Sequence, residues 1–281
     1  MMTQKRIAAI HDISGVGKCS LTVALPICSV AGLETAVIPT AVLSNHTGFC
    51  FSDYTFHDLT EEIMPIAAQW KKEGFEFDAF YTGYLGSIRQ TQLVNDAIKL
   101  LKTEKTLVIT DPAMADNGEL YKGFPEDFPK SMLSLCKSAD IIIPNITEAC
   151  LLLGIPYSPA PYKKEFIEEL LIRLHRECGA KVVLTGVTFD ERKVGAATFD
   201  GENISYCFSD KVDYIFHGTG DVFASCFVAA FMNGRSLSAA AELAVNFTYG
   251  CIKDTLDSPD RRDYGVCFEK RLALLGAALE G

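Results

Sequence analysis

Val212-Asp213-Tyr214-Ile215-Phe216-His217-Gly218-Thr219-Gly220-Asp221-Val222-Phe223-Ala224-Ser225 places two glycines just ahead of an acidic residue and an apolar run. Gly218 and Gly220 let the backbone turn tightly and approach a ligand, and the apolar residues after Asp221 begin a buried helix. The first amides of such a helix lack intrahelical partners and carry partial positive charge. They suit a phosphate oxygen, with Asp221 standing beside it. Taken alone, the same residues also describe an ordinary helix cap after a plain turn.

Outward from this stretch the chain keeps a regular grammar. Downstream, helices are expected over 221–233, 237–252 and 267–279. Immediately upstream, the runs 193–199 and 203–208 flank Asp200-Gly201, a hairpin dipeptide. Further back, short apolar strands read at 7–10, 35–39, 79–82, 106–110, 140–143 and 181–184, each closed by a turn residue or proline. Between them Val94, Ala97, Ile98 and Leu101 recur at helical spacing, as do Ile167, Leu170, Leu171, Leu174 and Cys178. The glycine-bearing segment 12–17 reads as a turn leading into a helix over 21–31.

Strands alternating with amphipathic helices predict an α/β fold with a mostly parallel central sheet covered by helices on both faces. No repeat, low-complexity tract or linker interrupts the chain, so one domain over 1–281 is expected. Ligands of such sheets gather beyond the carboxyl ends of the strands. The polar segments 12–17, 44–48, 82–86, 111–118, 144–148 and 185–186 fall there.

Composition narrows the partners. The 281 residues are 48% hydrophobic and 22% charged, the balance of a well-packed chain. A formal net charge of −10 repels a nucleic-acid backbone and an anionic membrane surface, so neither is expected as a partner. The same charge says little against ATP, whose sites are built locally from backbone amides and a metal. The ten cysteines form no C-x-x-C pair and no zinc spacing, which predicts buried free thiols in a reducing cytoplasm. The apolar run near the start reads as a first strand rather than a signal peptide, and no run approaches the ~20 residues of a membrane span.

Gly15-Val16-Gly17-Lys18-Cys19-Ser20 imitates the end of a P-loop, but G-x-x-x-x-G-K-[ST] requires Gly at 12 and Ser or Thr at 19. The chain has Asp12 and Cys19. Lys18 is therefore not expected on a phosphate.

Gly218-Thr219-Gly220-Asp221 ahead of a hydrophobic helix, in the last third of the chain, resembles the ribokinase-like superfamily of kinases. Within it, Ser44-Asn45-His46-Thr47-Gly48 resembles the pyridoxal kinase family. Thr82-Gly83-Tyr84-Leu85-Gly86-Ser87 and Asp111-Pro112-Ala113-Met114-Ala115-Asp116 match that family's third- and fourth-strand loops. Pro144-Asn145-Ile146-Thr147-Glu148 matches its Asn-x-x-Glu element. The similarity runs in order from about residue 6 to residue 255.

The resemblance implies ATP-dependent phosphorylation of the 5′-hydroxymethyl group of pyridoxal, pyridoxine or pyridoxamine, with Mg2+ and with K+ left open. It implies Asp221 as the base facing the acceptor hydroxyl and Gly218 to Gly220 as the anion hole. Asn145, Glu148, Thr185, Gly186, Thr219 and Asp116 would lie beside the nucleotide, and Asp111 and Glu148 beside the metal. Ser14, His46, Thr47 and Tyr84 would surround the acceptor ring, and two copies would form a homodimer. Phosphoryl transfer needs these three things: an anion cradle, a divalent cation and a group that orients the hydroxyl.

Plainer readings stand beside these roles. Glu148 could be a solvated first-turn residue, Asp111 a turn starter before Pro112, His46 a structural histidine and Tyr84 a packed aromatic. The related hydroxymethylpyrimidine kinases are the nearest alternative, and Asp12-Ile13-Ser14-Gly15 hints at them. Whether Asp12 or Ser14 takes the first-loop position is open. A sugar kinase is disfavoured by the lack of an early Gly-Gly-rich loop, and a vitamer-binding protein without catalysis by the intact Asp221.

Overall fold

The computed structural model describes residues 4–48 and 50–279. It opens with β1 (Arg6–Val16), α1 (Leu21–Val30), β2 (Glu34–Asn45), β3 (Phe56–Asp58), α2 (Ile63–Glu73), β4 (Ala79–Thr82), α3 (Ile88–Leu101) and β5 (Leu107–Thr110). A two-stranded hairpin follows, β6 (Ala115–Asp116) and β7 (Glu119–Leu120), then α4 (Phe128–Cys136), β8 (Ile141–Ile142), α5 (Ile146–Leu153) and α6 (Lys164–Cys178). The chain ends with β9 (Lys181–Val187), β10 (Lys193–Phe199), β11 (Ile204–Asp210), α7 (Thr219–Met232), α8 (Leu237–Leu256) and α9 (Leu272–Leu279).

Nine strands form one sheet in the order β11-β10-β9-β8-β5-β4-β1-β2-β3. The pairings from β9 through β2 are parallel, and the outer ones at both edges are antiparallel. Successive side chains of the inner strands enter opposite cores. Phe80 of β4 packs with α2 to α6, whereas its neighbours Ala79 and Tyr81 pack with α1, α7, α8 and α9. Val182 and Leu184 of β9 face the first core and Val183 the second. Burial on both faces is why these strands read as continuous apolar runs.

The expected strands and hairpin are present, and so is the mostly parallel sheet. One expectation is corrected. Segment 12–17 is largely not a turn: β1 passes a register irregularity between His11 and Ile13 and continues, pairing Ile13, Ser14 and Val16 with Val42, Leu43 and Asn45 of β2. A Cβ on Gly15 would lie 3.0 Å from the Ser44 carbonyl oxygen, so its glycine serves close strand approach rather than a reversal. At the other end, α7 starts two residues early, α8 runs on to Leu256, and 267–279 resolves into a 3-10 turn over Phe268–Arg271 followed by α9. All ten cysteines are free.

Candidate active site

Gly218 caps α7 in the left-handed region, at φ 75°, and a Cβ there would sit 2.1 Å from the Lys18 carbonyl oxygen. Conformation and space both demand glycine. Thr219 is the first helical residue, and its hydroxyl donates back to the Phe216 carbonyl at 3.4 Å. Asp221 then falls in the first turn, at the positive end of the helix. Burial pushes its carboxyl up to about 7, Asp12 adds repulsion, and the Ser20 N–H donates to it and pulls the other way. A carboxyl poised there can accept a proton at neutral pH.

Asp111 follows β5 and is buried, with its N–H on the Thr82 carbonyl at 2.9 Å. Burial holds its carboxyl well above the usual range, with Glu148 and Asp221 repelling it further. Glu148 belongs to a capping box on α5: Asn145 Oδ1 accepts from the Glu148 N–H at 2.9 Å, and Glu148 Oε2 accepts from the Asn145 N–H at 2.8 Å. Its Oε1 accepts from the Met114 N–H at 3.0 Å, while Asn145 Nδ2 donates to the Ala115 carbonyl at 2.8 Å. Thr147 Oγ1 accepts from the Gly118 N–H at 3.0 Å. The start of α5 is thus a clamp on the loop that carries Asp111 and the exposed Asp116. Burial pushes Glu148 up to about 7.

Asp111 lies within electrostatic reach of both Glu148 and Asp221, and among the described residues no Arg or Lys is a main influence on any of the three. Asp111, buried and repelled by two carboxyls, has the chemistry that a divalent cation would relieve. Among the described residues no three His, Cys, Asp or Glu side chains converge as a ready-made metal cage. A Mg2+ that takes one or two carboxylates plus phosphates and keeps its waters needs no such cage. Thr185, two residues before the end of β9, bridges to Asn145, and Gly186 follows it at φ 74°.

On the opposite side Ser14 Oγ donates to Asp12 Oδ2 at 2.9 Å. Tyr84 lies half-buried with its ring 5.5 Å from Phe124, and burial, with Asp12 nearby, pushes its phenol up to about 12. Thr47 is exposed. His46 Nδ1 accepts from the Gly48 N–H at 2.9 Å, so Nε2 carries the proton and donates to the Tyr264 carbonyl, also 2.9 Å away. The neutral ring packs on Gly17, His217 and Phe51, stapling the ends of β1 and β2 to the Tyr264 loop.

Asp12 is therefore surrounded by Ser14, Ser20, His46 and Tyr84, Asp111 has Glu148 beside it, and Asp221 interacts with both Asp12 and Asp111. Sequence reasoning left open whether Asp12 or Ser14 takes the first-loop position, and it missed Cys19 and Ser20 beside Asp12 and Tyr121 near Asp111, Glu148 and Asp221. A polar residue at a strand end was the available signal for Asp12; Tyr121 gave none. Lys18 turns its ammonium to Glu269, 2.9 Å away.

Fold and site together define a ribokinase-like α/β kinase. The chain belongs to the phosphomethylpyrimidine kinase family, whose model matches residues 28–262. A Bacteroides thetaiotaomicron protein assigned provisionally to phosphomethylpyrimidine kinase, and crystallised with pyridoxal, is 39% identical and superposes with a TM-score of 0.91 over 97% of this chain and 96% of its own. The pyridoxal kinase of Lactobacillus plantarum is 29% identical with a TM-score of 0.90, covering 99% of both chains. The pyridoxal kinase of Ovis aries is 27% identical over 270 residues, 88% of this chain and 83% of its own. The protein is accordingly a pyridoxal kinase-like phosphotransferase with an alcohol group as acceptor.

Proposed function

We propose that the protein transfers the γ-phosphoryl group of ATP to the 5′-hydroxymethyl group of a B6 vitamer, with Asp221 as the base. The placement of Asp221 carries this reading: it stands in the first turn of α7 beside the amides of Gly218 to Gly220, with acceptor-side residues on one flank and the Asp111–Glu148 pair on the other. The crystallisation of the Bacteroides thetaiotaomicron relative with pyridoxal supports the choice of acceptor.

In this mechanism the α7 amides hold the transferred phosphoryl oxygens. Asp221 orients the hydroxyl and takes its proton late, as suits a loose transition state. Asp111, with Glu148 behind it, would hold Mg2+, which supplies charge neutralisation to the phosphates when bound. Ser14, His46, Thr47 and Tyr84 shape the acceptor pocket, and Asn145, Thr185, Gly186, Thr219 and Asp116 the nucleotide side.

The matched family description favours one second reading, phosphorylation of a hydroxymethylpyrimidine. Purified protein assayed with ATP and each of pyridoxal, pyridoxine, pyridoxamine and hydroxymethylpyrimidine separates the two. Turnover of a vitamer at kcat/KM at least tenfold above the pyrimidine is the expected result, and the reverse preference would replace this reading with the second.

A further inference from the structure

We propose that Asp12 determines acceptor specificity by pairing its carboxylate with the protonated ring nitrogen of the acceptor heterocycle, the pyridinium of a B6 vitamer. This rests on the acceptor assignment just proposed. Asp12 lies at the register irregularity within β1, between His11 and Ile13, and only 3% of its surface is exposed. Its two side-chain donors are neutral hydroxyls, Ser14 Oγ at 2.9 Å and that of Ser20.

Among the described residues no nearby cation neutralises Asp12; His11, its neighbour in the chain, is fully buried and kept neutral, its pKa lowered to about 3. Among the described residues no Lys or Arg forms an ion pair with Asp12. Lys18, six residues along the chain, is paired with Glu269. His46 is neutral, with one ring nitrogen accepting from Gly48 and the other donating to Tyr264. The other titratable neighbours are Tyr84, the Cys19 thiol and a second carboxyl, Asp221.

A buried carboxylate without a cation is poorly compensated, and two hydroxyls replace only part of its lost hydration. The missing partner is supplied if the ligand brings a cationic N–H. A 3-hydroxypyridine readily holds a proton on its ring nitrogen, whereas a sugar carries no such group. With the hydroxymethyl arm at Asp221 and the ring nitrogen at Asp12, two neighbouring carboxyls would read the two ends of one acceptor, and the charge-assisted bond would fix its orientation.

The test is steady-state kinetics of the wild type and Asp12→Asn with pyridoxine and with its carbocyclic analogue, in which CH replaces the ring nitrogen. Asparagine keeps the volume of Asp12 and can still bond Ser14 and Ser20. The KM for pyridoxine should rise about ten- to a hundredfold, the scale of a hydrogen bond to a charged group. The KM for ATP should stay within about twofold, and the analogue, weak in the wild type, should bind the variant no worse. Equal losses for pyridoxine and analogue, or for pyridoxine and ATP, would make Asp12 a structural residue and overturn the proposal. Wild-type turnover of pyridoxine with an unchanged KM in Asp12→Asn would overturn this inference alone. A wild type that phosphorylates no vitamer would overturn the acceptor assignment and this inference with it.

Discussion

Asp221 must be ionised to accept a proton, and burial beside Asp12 pushes its carboxyl up to about 7. Activity is therefore expected to rise as pH climbs through about 7 and to level off above it. Asp221→Asn keeps the size of the residue and leaves the Gly218 to Gly220 amides in place, but removes charge and basicity. It should lower kcat by ~10²–10⁴ with both KM values within a few-fold. A variant that keeps more than about a tenth of wild-type kcat, a loss under ~1.4 kcal/mol, would remove Asp221 from the role of base. Lys18 provides the contrast: its ammonium is held by Glu269 and lies over the Phe268 ring. Lys18→Ala should leave the KM for ATP within a few-fold, and a loss of binding on the scale of ~3 kcal/mol would restore the P-loop reading rejected on Asp12 and Cys19.

At the scale of elements, the start of α5 matters because Glu148 serves its own helix and the loop after β5 at once. Glu148→Ala leaves the Asn145 and Met114 N–H groups without their acceptor. Urea denaturation should show a loss of about 1–3 kcal/mol, and the KM for Mg-ATP should rise as the Asp111 loop loosens. Unchanged stability would mean that water replaces the carboxylate without cost. Half of this clamp was within reach of the sequence, since Asn145-x-x-Glu148 has the spacing of a capping box, although a solvated first-turn Glu148 was the plain reading and the residue proves buried. The other half joins Glu148 to Met114 and Asn145 to Ala115, contacts that exist only once β5 and β8 are neighbours. The same divide runs through the fold. Strands buried on both faces and the apolar run of α7 announce themselves by composition. The extension of β1 does not, because Gly15 and Gly17 read as turn residues, and β3, β6 and β7 are too short for any period to register. Asp221 was legible from its glycines, whereas the pairing of Asp12 with it is a product of the closed sheet.

For the whole molecule, a homodimer is proposed, since two-fold pairs are the commonest assembly of such enzymes. Light scattering at micromolar concentration should give about twice the chain mass of 30.8 kDa, and a species at the chain mass alone would refute it. The buried charge of the site also sets how stability responds to pH. Asp12, Asp111, Glu148 and Asp221 are all raised by burial, so each binds its proton more tightly in the folded chain than in the unfolded one. Such a group makes stability fall as pH rises between its unfolded and folded values. His11, His46 and His217 are lowered by burial and act in the opposite sense below about pH 6.5, where the unfolded imidazoles would be charged. The two sets therefore offset each other in mild acid. Above pH 7 the histidines are neutral in both states and drop out, Glu148 and Asp221 finish losing their protons, Asp111 is held well above its usual range, and the raised thiols of Cys28, Cys136 and Cys226 join them at higher pH. The melting temperature of the unliganded protein should consequently fall between pH 7 and pH 9, and Asp111→Asn should flatten that fall by removing a carboxyl that burial holds well above its usual range. Mg-ATP, binding where the carboxyls repel one another, should raise the melting temperature more at pH 8.5 than at pH 6. A melting temperature that stays level or climbs from pH 7 to pH 9 would show that the carboxyls are not carried into the folded core at a cost.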